Sequence, residues 1–386
     1  FNIGKSLTDT GHLDAAIESY QQALKNKPEY AEAYYFQGIS QHENGNIEAA
    51  IASYKEAIRI KPDYAEAYLN MGIDLHLEGN VDEAVNSFKR AVTIKTDYAE
   101  AYYNLGFALK QKGKLIAAID NLKVSLKIKP DYFEAIILIG NMQKDQGDLE
   151  AAVDSYKMAI KIKPDYAETN YLLAALIGET PNSAPREYVE NLFNKYASKF
   201  DSSLVGNLEY NVPKELTKII ISKQPEDSLG SILDLGCGTG LAGIEIKNLC
   251  SKLNGIDLSK AMVEQAKKKN VYDQLTHDDI VDHLSKSDLN YDYFLATDVF
   301  VYLGELSEVF KFIKSRNKRS GRLAFSTEHN EREDYFLETS GRFSHSKQYI
   351  EKLCDKFDYK VSHFSKTNLR KEKDVFLTGG LYLLDF

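Results

Sequence analysis

Residues recur every 34 positions through the first part of this 386-residue chain, and that period fixes the class of fold before any single residue is weighed. Gly4, Gly38, Gly72, Gly106 and Gly140 form one register and Gly11, Gly45, Gly79, Gly113 and Gly147 a second. Ala16, Ala50, Ala84, Ala118 and Ala152 form a third, and Tyr20, Tyr54, Phe88, Leu122 and Tyr156 a fourth. Pro28, Pro62, Pro130 and Pro164 end successive units, with Thr96 standing once in proline's place. Small residues let two helices approach while the large register fills the space between them. Each repeat therefore reads as a helix pair that buries its apolar face only by stacking on its neighbours. Four full repeats span residues 31–166 after a partial one, and residues 167–178 read as a single closing helix. Phe1 falls at the fifth position of a repeat, so further sequence is expected before it.

This spacing is the tetratricopeptide (TPR) period, and an all-α TPR solenoid over residues 1–178 is the expected first domain. On the first helix of each repeat, the positions due to face the concave groove are Glu32, Tyr35, Ile39 and His42, then Glu66, Leu69, Ile73 and His76, then Glu100, Tyr103, Phe107 and Lys110. An apolar groove with an acidic edge is expected, suited to an extended or helical protein segment carrying basic residues. Acidic residues also suit the first turns of helices on their own account. A lysine and asparagine clamp for acidic peptide tails is not evident, because the repeat's second position is glutamate.

Pro181 and Pro185, with serine and asparagine between them, mark residues 179–185 as a linker, and residues 186–386 form the second domain. Its most telling stretch is Ile232-Leu-Asp234-Leu-Gly236-Cys237-Gly238-Thr-Gly240, followed by Gly255-Ile-Asp257. Residues 232–235 look like a buried parallel strand and residues 241–249 like a helix, so the glycines fill a strand-to-helix turn where backbone N–H groups can approach a ligand. The next strand brings Asp257 to where a carboxylate accepts from ribose hydroxyls. Gly238-Thr-Gly240-Leu-Ala-Gly243 also satisfies the dinucleotide spacing G-x-G-x-x-G, which alone is a weak signal. Asp234 weighs against a dinucleotide, since a carboxylate aimed into the turn repels a pyrophosphate. It suits S-adenosylmethionine, which carries a sulfonium and an ammonium and no phosphate.

Asp234-x-Gly236-x-Gly238-x-Gly240 with Asp257 resembles motif I and the second-strand acid of class I S-adenosylmethionine-dependent methyltransferases. Thr276-His-Asp278-Asp279-Ile280 falls where that family sets an acidic residue beside the adenine amino group, and residues 291–299 read as its fourth strand, with Asp298 near the end. The resemblance covers roughly residues 185–386. Repeats joined to Ala184-Pro-Arg-Glu-Tyr-Val, Leu192-Phe-Asn-Lys-Tyr-Ala and Ala296-Thr-Asp-Val-Phe-Val-Tyr-Leu-Gly make the chain similar to bacterial TPR-containing predicted methyltransferases. That resemblance implies a Rossmann-like α/β domain with a seven-stranded sheet, its last strand antiparallel between the fifth and sixth. It implies S-adenosylmethionine as cofactor and S-adenosylhomocysteine as product. The cofactor contacts it implies are Asp234, Gly236, Cys237, Gly238, Gly240, Asp257, Leu258, Met262, Asp278, Asp279, Ile280 and Asp298.

The residues themselves give a matching alternation, with strands at 231–236, 252–258, 272–277, 291–299, 322–329, 359–365 and 380–385 and helices between them. Such a doubly wound sheet gathers ligands at the carboxyl ends of its strands, where Asp234, Asp257, Asp279, Asp298 and His329 fall. Methyl transfer from a sulfonium is an in-line displacement in which positioning supplies much of the catalysis. If a proton must leave the acceptor, Asp298, His329 and Tyr302 are the candidate bases; His329 could equally do no more than shape the substrate mouth. Val-Phe-Val-Tyr follows Asp298 in place of the Asn/Asp-Pro-Pro-Tyr of many amino-group methyltransferases, and there is no Pro-Cys nucleophile. Adenine, glutamine amides and cytosine carbon are thereby disfavoured as acceptors. A hydroxyl, carboxyl, amine or activated carbon on a small molecule or a protein remains, with the repeats recruiting partner or substrate.

Residues 186–228 are expected to form a helical lid. Val189, Phe193, Tyr196 and Phe200 share one helical face there, and Tyr196-Ala197 with Asp201 resembles the Tyr-Ala-x-x-x-Asp segment that several small-molecule methyltransferases set over the methionine end. Tyr196 and Tyr210 are therefore further cofactor contacts on this reading, although the same stripe would also serve as core.

A net charge of −9 argues against nucleic acid as the main partner, and no run approaches the ~20 apolar residues of a membrane span. Cys237, Cys250 and Cys354 form neither a metal-spaced pair nor a disulfide framework, which fits a cytoplasmic protein. Cys237 sits where the glycine turn needs a small side chain, so it reads as packing. The eight histidines show no metal spacing, and no metal is expected. A scaffold that has kept the fold but lost turnover is the alternative of another class; the intact Asp234, glycine turn and Asp257 speak against it.

Overall fold

A computed structural model describes residues 1–223, 228–286, 288–372 and 375–386, so residues 224–227 of the expected lid lie outside the described residues. The chain forms two compact units, Phe1–Pro164 and Asp165–Phe386. Among the described residues, no helix is long and apolar enough to cross a membrane.

The first unit is built of paired helices: α1 (Asn2–Asp9) with α2 (Leu13–Asn26), α3 (Ala31–Glu43) with α4 (Ile47–Ile60), α5 (Ala65–Leu77) with α6 (Val81–Ile94), α7 (Ala99–Gln111) with α8 (Leu115–Ile128), and α9 (Phe133–Gln146) with α10 (Leu149–Ile162). The two glycine registers serve different ends. A Cβ built on Gly38 would stand 2.5 Å from the Tyr54 ring, and one on Gly72 2.6 Å from Phe88, so this register permits helix contact. Gly45 and Gly79 have open space around them but φ of +80° and +83°, so the second register closes the turn between the helices. Tyr35, Ile39, Ile73, Tyr103 and Phe107 are partly buried along the edge of this core. Leu69 does not present itself as the groove reading expects: at 1% exposure it belongs to the core. Glu66 pairs with Lys95 at 3.3 Å, which neutralises part of the expected acidic edge, while Glu32 and Glu100 are exposed.

Helix α11 (Ala167–Ile177) continues the repeat register yet belongs by its contacts to the second unit. Tyr171, Ala174 and Ala175 pack with Ala184, Leu337 and Phe343, and the Tyr171 hydroxyl donates to the Gly341 carbonyl at 2.9 Å. Helices α12 (Arg186–Tyr196) and α13 (Val212–Lys223) follow. The alternating part then runs β1 (Ser231–Leu235), α14 (Leu241–Ile246), β2 (Lys252–Asp257), α15 (Lys260–Lys269), β3 (Gln274–His277), α16 (Ile280–Lys286), β4 (Tyr293–Ala296), α17 (Ser307–Arg316) and β5 (Arg322–Asn330). A hairpin of β6 (Tyr335–Leu337) and β7 (Phe343–Ser346), helix α18 (Lys347–Phe357) and the long strands β8 (Lys360–Glu372) and β9 (Val375–Asp385) complete it.

The parallel strands order as β3-β2-β1-β4-β5. The last strand, β9, lies antiparallel between β5 and β8, as expected. Two features exceed the expectation. Among the described residues the sheet has nine strands, because the β6–β7 hairpin joins the end of β5 through Glu328 to Asn330. Strands β8 and β9 also run on past residues 365 and 380 into stretches that read as charged or glycine-bearing loop. The core under the sheet is apolar and dense, with Phe294, Phe300, Phe310 and Phe325 fully buried.

Candidate functional site

Where β1 ends, Gly236, Gly238 and Gly240 all have positive φ, at 68°, 55° and 90°. They are not equivalent. A Cβ on Gly236 would meet Val299 at 2.0 Å, and one on Gly240 the Tyr272 ring at 3.0 Å, whereas Gly238 faces open space. Gly243 and Gly255 likewise make room for Tyr272, at 2.6 and 2.9 Å. The spacing that mimics a dinucleotide signature thus reflects in part the packing of one tyrosine.

A cavity of about 920 Å³ opens beside this turn. Of the residues expected to hold a cofactor, it is lined by Tyr196, Tyr210, Gly236, Cys237, Gly238, Asp257, Leu258, Met262, Asp279, Ile280 and Asp298. Asp234, Gly240 and Asp278 stand behind that lining. Asp257 accepts from the amides of Gly238 and Ser259, both at 2.8 Å, which turns its carboxylate across the cavity end of β2. Burial pushes its carboxyl up to about 6, against the opposing pull of those two amides. Asp234 is fully buried and accepts from the Tyr272 hydroxyl at 2.6 Å; burial raises its carboxyl to about 7. Its second oxygen, Oδ1, is buried and makes no hydrogen bond to the protein. Asp278 accepts from the Asp279 amide at 2.9 Å and so shapes the turn instead of facing the cavity.

The segment ahead of β1 covers the cavity. Asn194 on α12 accepts from the Ser259 hydroxyl at 2.7 Å and the Ala261 amide at 3.2 Å. Arg186 pairs with Asp279 at 3.2 Å and Asp282 at 2.9 Å. Asp201 accepts from Thr239 in the glycine turn and pairs with Lys269 at 2.6 Å. Tyr196 is 54% exposed, while Tyr210 is buried and its phenol is pushed well up by burial.

Of the candidate bases, Asp298 and Tyr302 reach the cavity and His329 does not. Asp298 holds a left-handed φ of 55°, accepts from Ser326 at 3.2 Å and is paired with Arg370. Burial raises the Tyr302 phenol. His329 instead lines a separate cavity of about 450 Å³, with a side chain 3% exposed and its Nε2 3.5 Å from Glu331. Burial lowers its basicity first, and Lys366 adds to this.

Sequence reasoning missed the far wall, where Arg370, Arg342 and Glu372 line the main cavity. Arg370 and Arg342 both donate to Glu328 Oε1 at 2.5 Å, and Arg342 also donates to Glu372 at 2.7 and 2.9 Å. The Nη1 of Arg342 has no protein partner among the described residues.

Family comparison sorts these features. Residues 226–376 match the methyltransferase domain family, while residues 1–65, 74–113, 99–132 and 140–179 match tetratricopeptide repeat families. The chain joins tetratricopeptide repeats to a methyltransferase domain. A malonyl-[acyl-carrier protein] O-methyltransferase of Bacillus anthracis is 26% identical over 142 residues, 36% of this chain and 52% of the relative. Its Bacillus cereus counterpart is 25% identical over the same extent, so the chain spans about half the length of the curated relatives it matches. Among solved structures, MamA covers 43% of this chain and 98% of its own at 29% identity and a TM-score of 0.41. Magnesium protoporphyrin IX methyltransferase from Synechocystis PCC 6803, with bound S-adenosylmethionine, covers 52% and 96% at 17% identity and a TM-score of 0.40.

Proposed function

We propose that the protein is an S-adenosylmethionine-dependent methyltransferase acting on an acceptor oxygen that is already anionic at neutral pH, a carboxylate foremost. The observation that carries this reading is the cavity itself. At about 920 Å³ it lies near the upper end of the ~300–1,000 Å³ of ordinary ligand sites, which leaves room for an acceptor beside a cofactor. Asp257 suits the ribose hydroxyls, Leu258, Met262 and Ile280 the adenine walls, and Asp279 the adenine amino group. The unpartnered oxygen of buried Asp234 fits a cofactor that brings donors and no phosphate. When bound, S-adenosylmethionine supplies the methyl group on a sulfonium.

What the chain's own residues do is position and screen. Asp298 is paired with Arg370, Tyr302 stays protonated at neutral pH, and His329 stands outside the cavity, so none of these three candidate bases is free there to take a proton. A nucleophile that needs no deprotonation fits such a wall. Arg342 Nη1 and the Tyr302 hydroxyl are donors able to align an anionic oxygen. Oxygen methylation is also the activity in the names of the Bacillus relatives. The lid formed by α12 and the residues around Asp201 excludes water.

The repeats recruit a protein partner or the carrier of the acceptor along Tyr35, Ile39, Ile73, Tyr103 and Phe107, with Glu32 and Glu100 favouring basic residues. A reducing cytoplasm suits the three unpaired cysteines. The test is to incubate the full chain with S-adenosylmethionine tritiated in its methyl group and a panel of carboxylate, phenol and amine acceptors. Base-labile label in carboxylates supports the reading, and label confined to amines refutes the acceptor class.

A further inference from the structure

Tyr272 lies just ahead of β3, outside every motif, yet it touches both sides of the glycine turn. Its hydroxyl donates to Asp234 Oδ2 at 2.6 Å, at the end of β1. The same oxygen lies against Gly243, in the first turn of α14, where a Cβ would stand 2.6 Å from it. Space for the ring is made by three glycines: Cβ atoms on Gly240, Gly243 and Gly255 would stand 3.0, 2.6 and 2.9 Å from it. Only Gly240 among these has a backbone conformation that by itself calls for glycine.

We infer that Tyr272 is a positioning residue that fastens the end of β1 against α14 across the cofactor turn and favours the charged form of Asp234 directly beneath the cavity lining. The inference rests on the methyltransferase reading of the site. A carboxylate fully buried beside Asp257, Cys237 and Tyr210 gains nothing from those neighbours for its charged form, since each is an acid that becomes negative when it ionises. Among the groups facing Asp234, the Tyr272 hydroxyl is the one that stabilises the carboxylate. Removing it leaves burial unopposed, so Asp234 takes up its proton at higher pH.

The test is calorimetric titration of the full chain with S-adenosylhomocysteine from pH 6 to 9. It compares wild type, Tyr272→Phe, Asp234→Asn and the double variant. Phenylalanine keeps the ring between the glycines and removes only the hydroxyl. Wild-type affinity should fall as pH drops through about 7. Tyr272→Phe should weaken binding about tenfold at pH 7, the loss of a hydrogen bond to a charged group, with its pH midpoint moved upward. Asp234→Asn should remove the midpoint near 7 and leave only the fall toward pH 6 that Asp257 contributes, and Tyr272→Phe added to it should shift nothing further. A weaker Tyr272→Phe complex with the wild-type midpoint would mean ordinary packing and overturn the inference. Unchanged binding would overturn it too. If wild type itself fails to bind S-adenosylhomocysteine, the methyltransferase reading falls first.

Discussion

Arg370→Met tests the hidden wall of the cavity directly. The side chains of Arg370, Glu328 and Asp298 are 8, 9 and 14% exposed, so the arginine neutralises two carboxylates almost out of water. Methionine keeps most of the stem and removes the charge. Breaking a buried ion pair from one side costs about 3–5 kcal/mol, because the partner's charge is left uncompensated. Glu328 would keep Arg342 and Asp298 would keep Ser326, which places the expected loss near the lower figure, ~3 kcal/mol. For a unit the size of Asp165–Phe386 that corresponds to a fall in Tm of about 6–12 °C. The chain contains no tryptophan and has two units, so the appropriate assay is native-state hydrogen exchange at the amides of β5 and β9. Asp298→Asn in the Arg370→Met background should restore more than about 1 kcal/mol, as one stranded charge disappears. A loss below about 1 kcal/mol, or no restoration, would show that the pair is screened and that the wall is not the buried network described.

Other outcomes follow from the same geometry. Asp234→Asn should stabilise the unliganded second unit at pH 8, by at most ~4 kcal/mol, and change nothing near pH 4. The sign follows from the raised carboxyl: it binds its proton more tightly folded than unfolded, so the fold loses stability as pH rises from 3.8 through about 7. Urea denaturation at pH 4 and 8 measures this. Gly38→Ala should destabilise the repeats by about 1–3 kcal/mol through overpacking on the Tyr54 ring, whereas Gly45→Ala carries only the cost of its positive φ, ~1 kcal/mol; thermal unfolding ranks the two. Tyr171→Phe leaves the buried Gly341 carbonyl without its donor and should cost about 1–3 kcal/mol, read as faster exchange at β7 and not at β1.

Much of this was legible because periodicity and glycine turns are local. The helix pairs follow from registers that place a glycine sixteen residues before a large side chain, and the doubly wound sheet follows from strand and helix alternating. The cavity-facing acids Asp257, Asp279 and Asp298 are marked by their positions at strand ends. Asp234 was marked too, but the reason it stands behind the lining was not: Tyr272 is 38 residues away, and nothing local ties the two. Arg342 and Arg370 escaped for a similar reason. Arg342 sits in a hairpin of strands only three and four residues long, and Arg370 in a run, Lys366-Thr-Asn-Leu-Arg370-Lys-Glu372, that reads as a solvated loop. Only pairing with β9 buries Arg370 against Asp298 and Glu328. His329 illustrates the converse. Its place at the end of β5 pointed to the site, but β5 runs on into the hairpin and sets the ring on a different cavity.

The central claim is best tested by calorimetric titration of the full chain with S-adenosylmethionine, S-adenosylhomocysteine and NAD, repeated on Asp257→Ala. The account predicts that the first two bind wild type and NAD does not, and that Asp257→Ala weakens both by at least about tenfold through loss of charged hydrogen bonds to the ribose. Binding of NAD alone, or S-adenosyl ligands held equally well by Asp257→Ala, would contradict it.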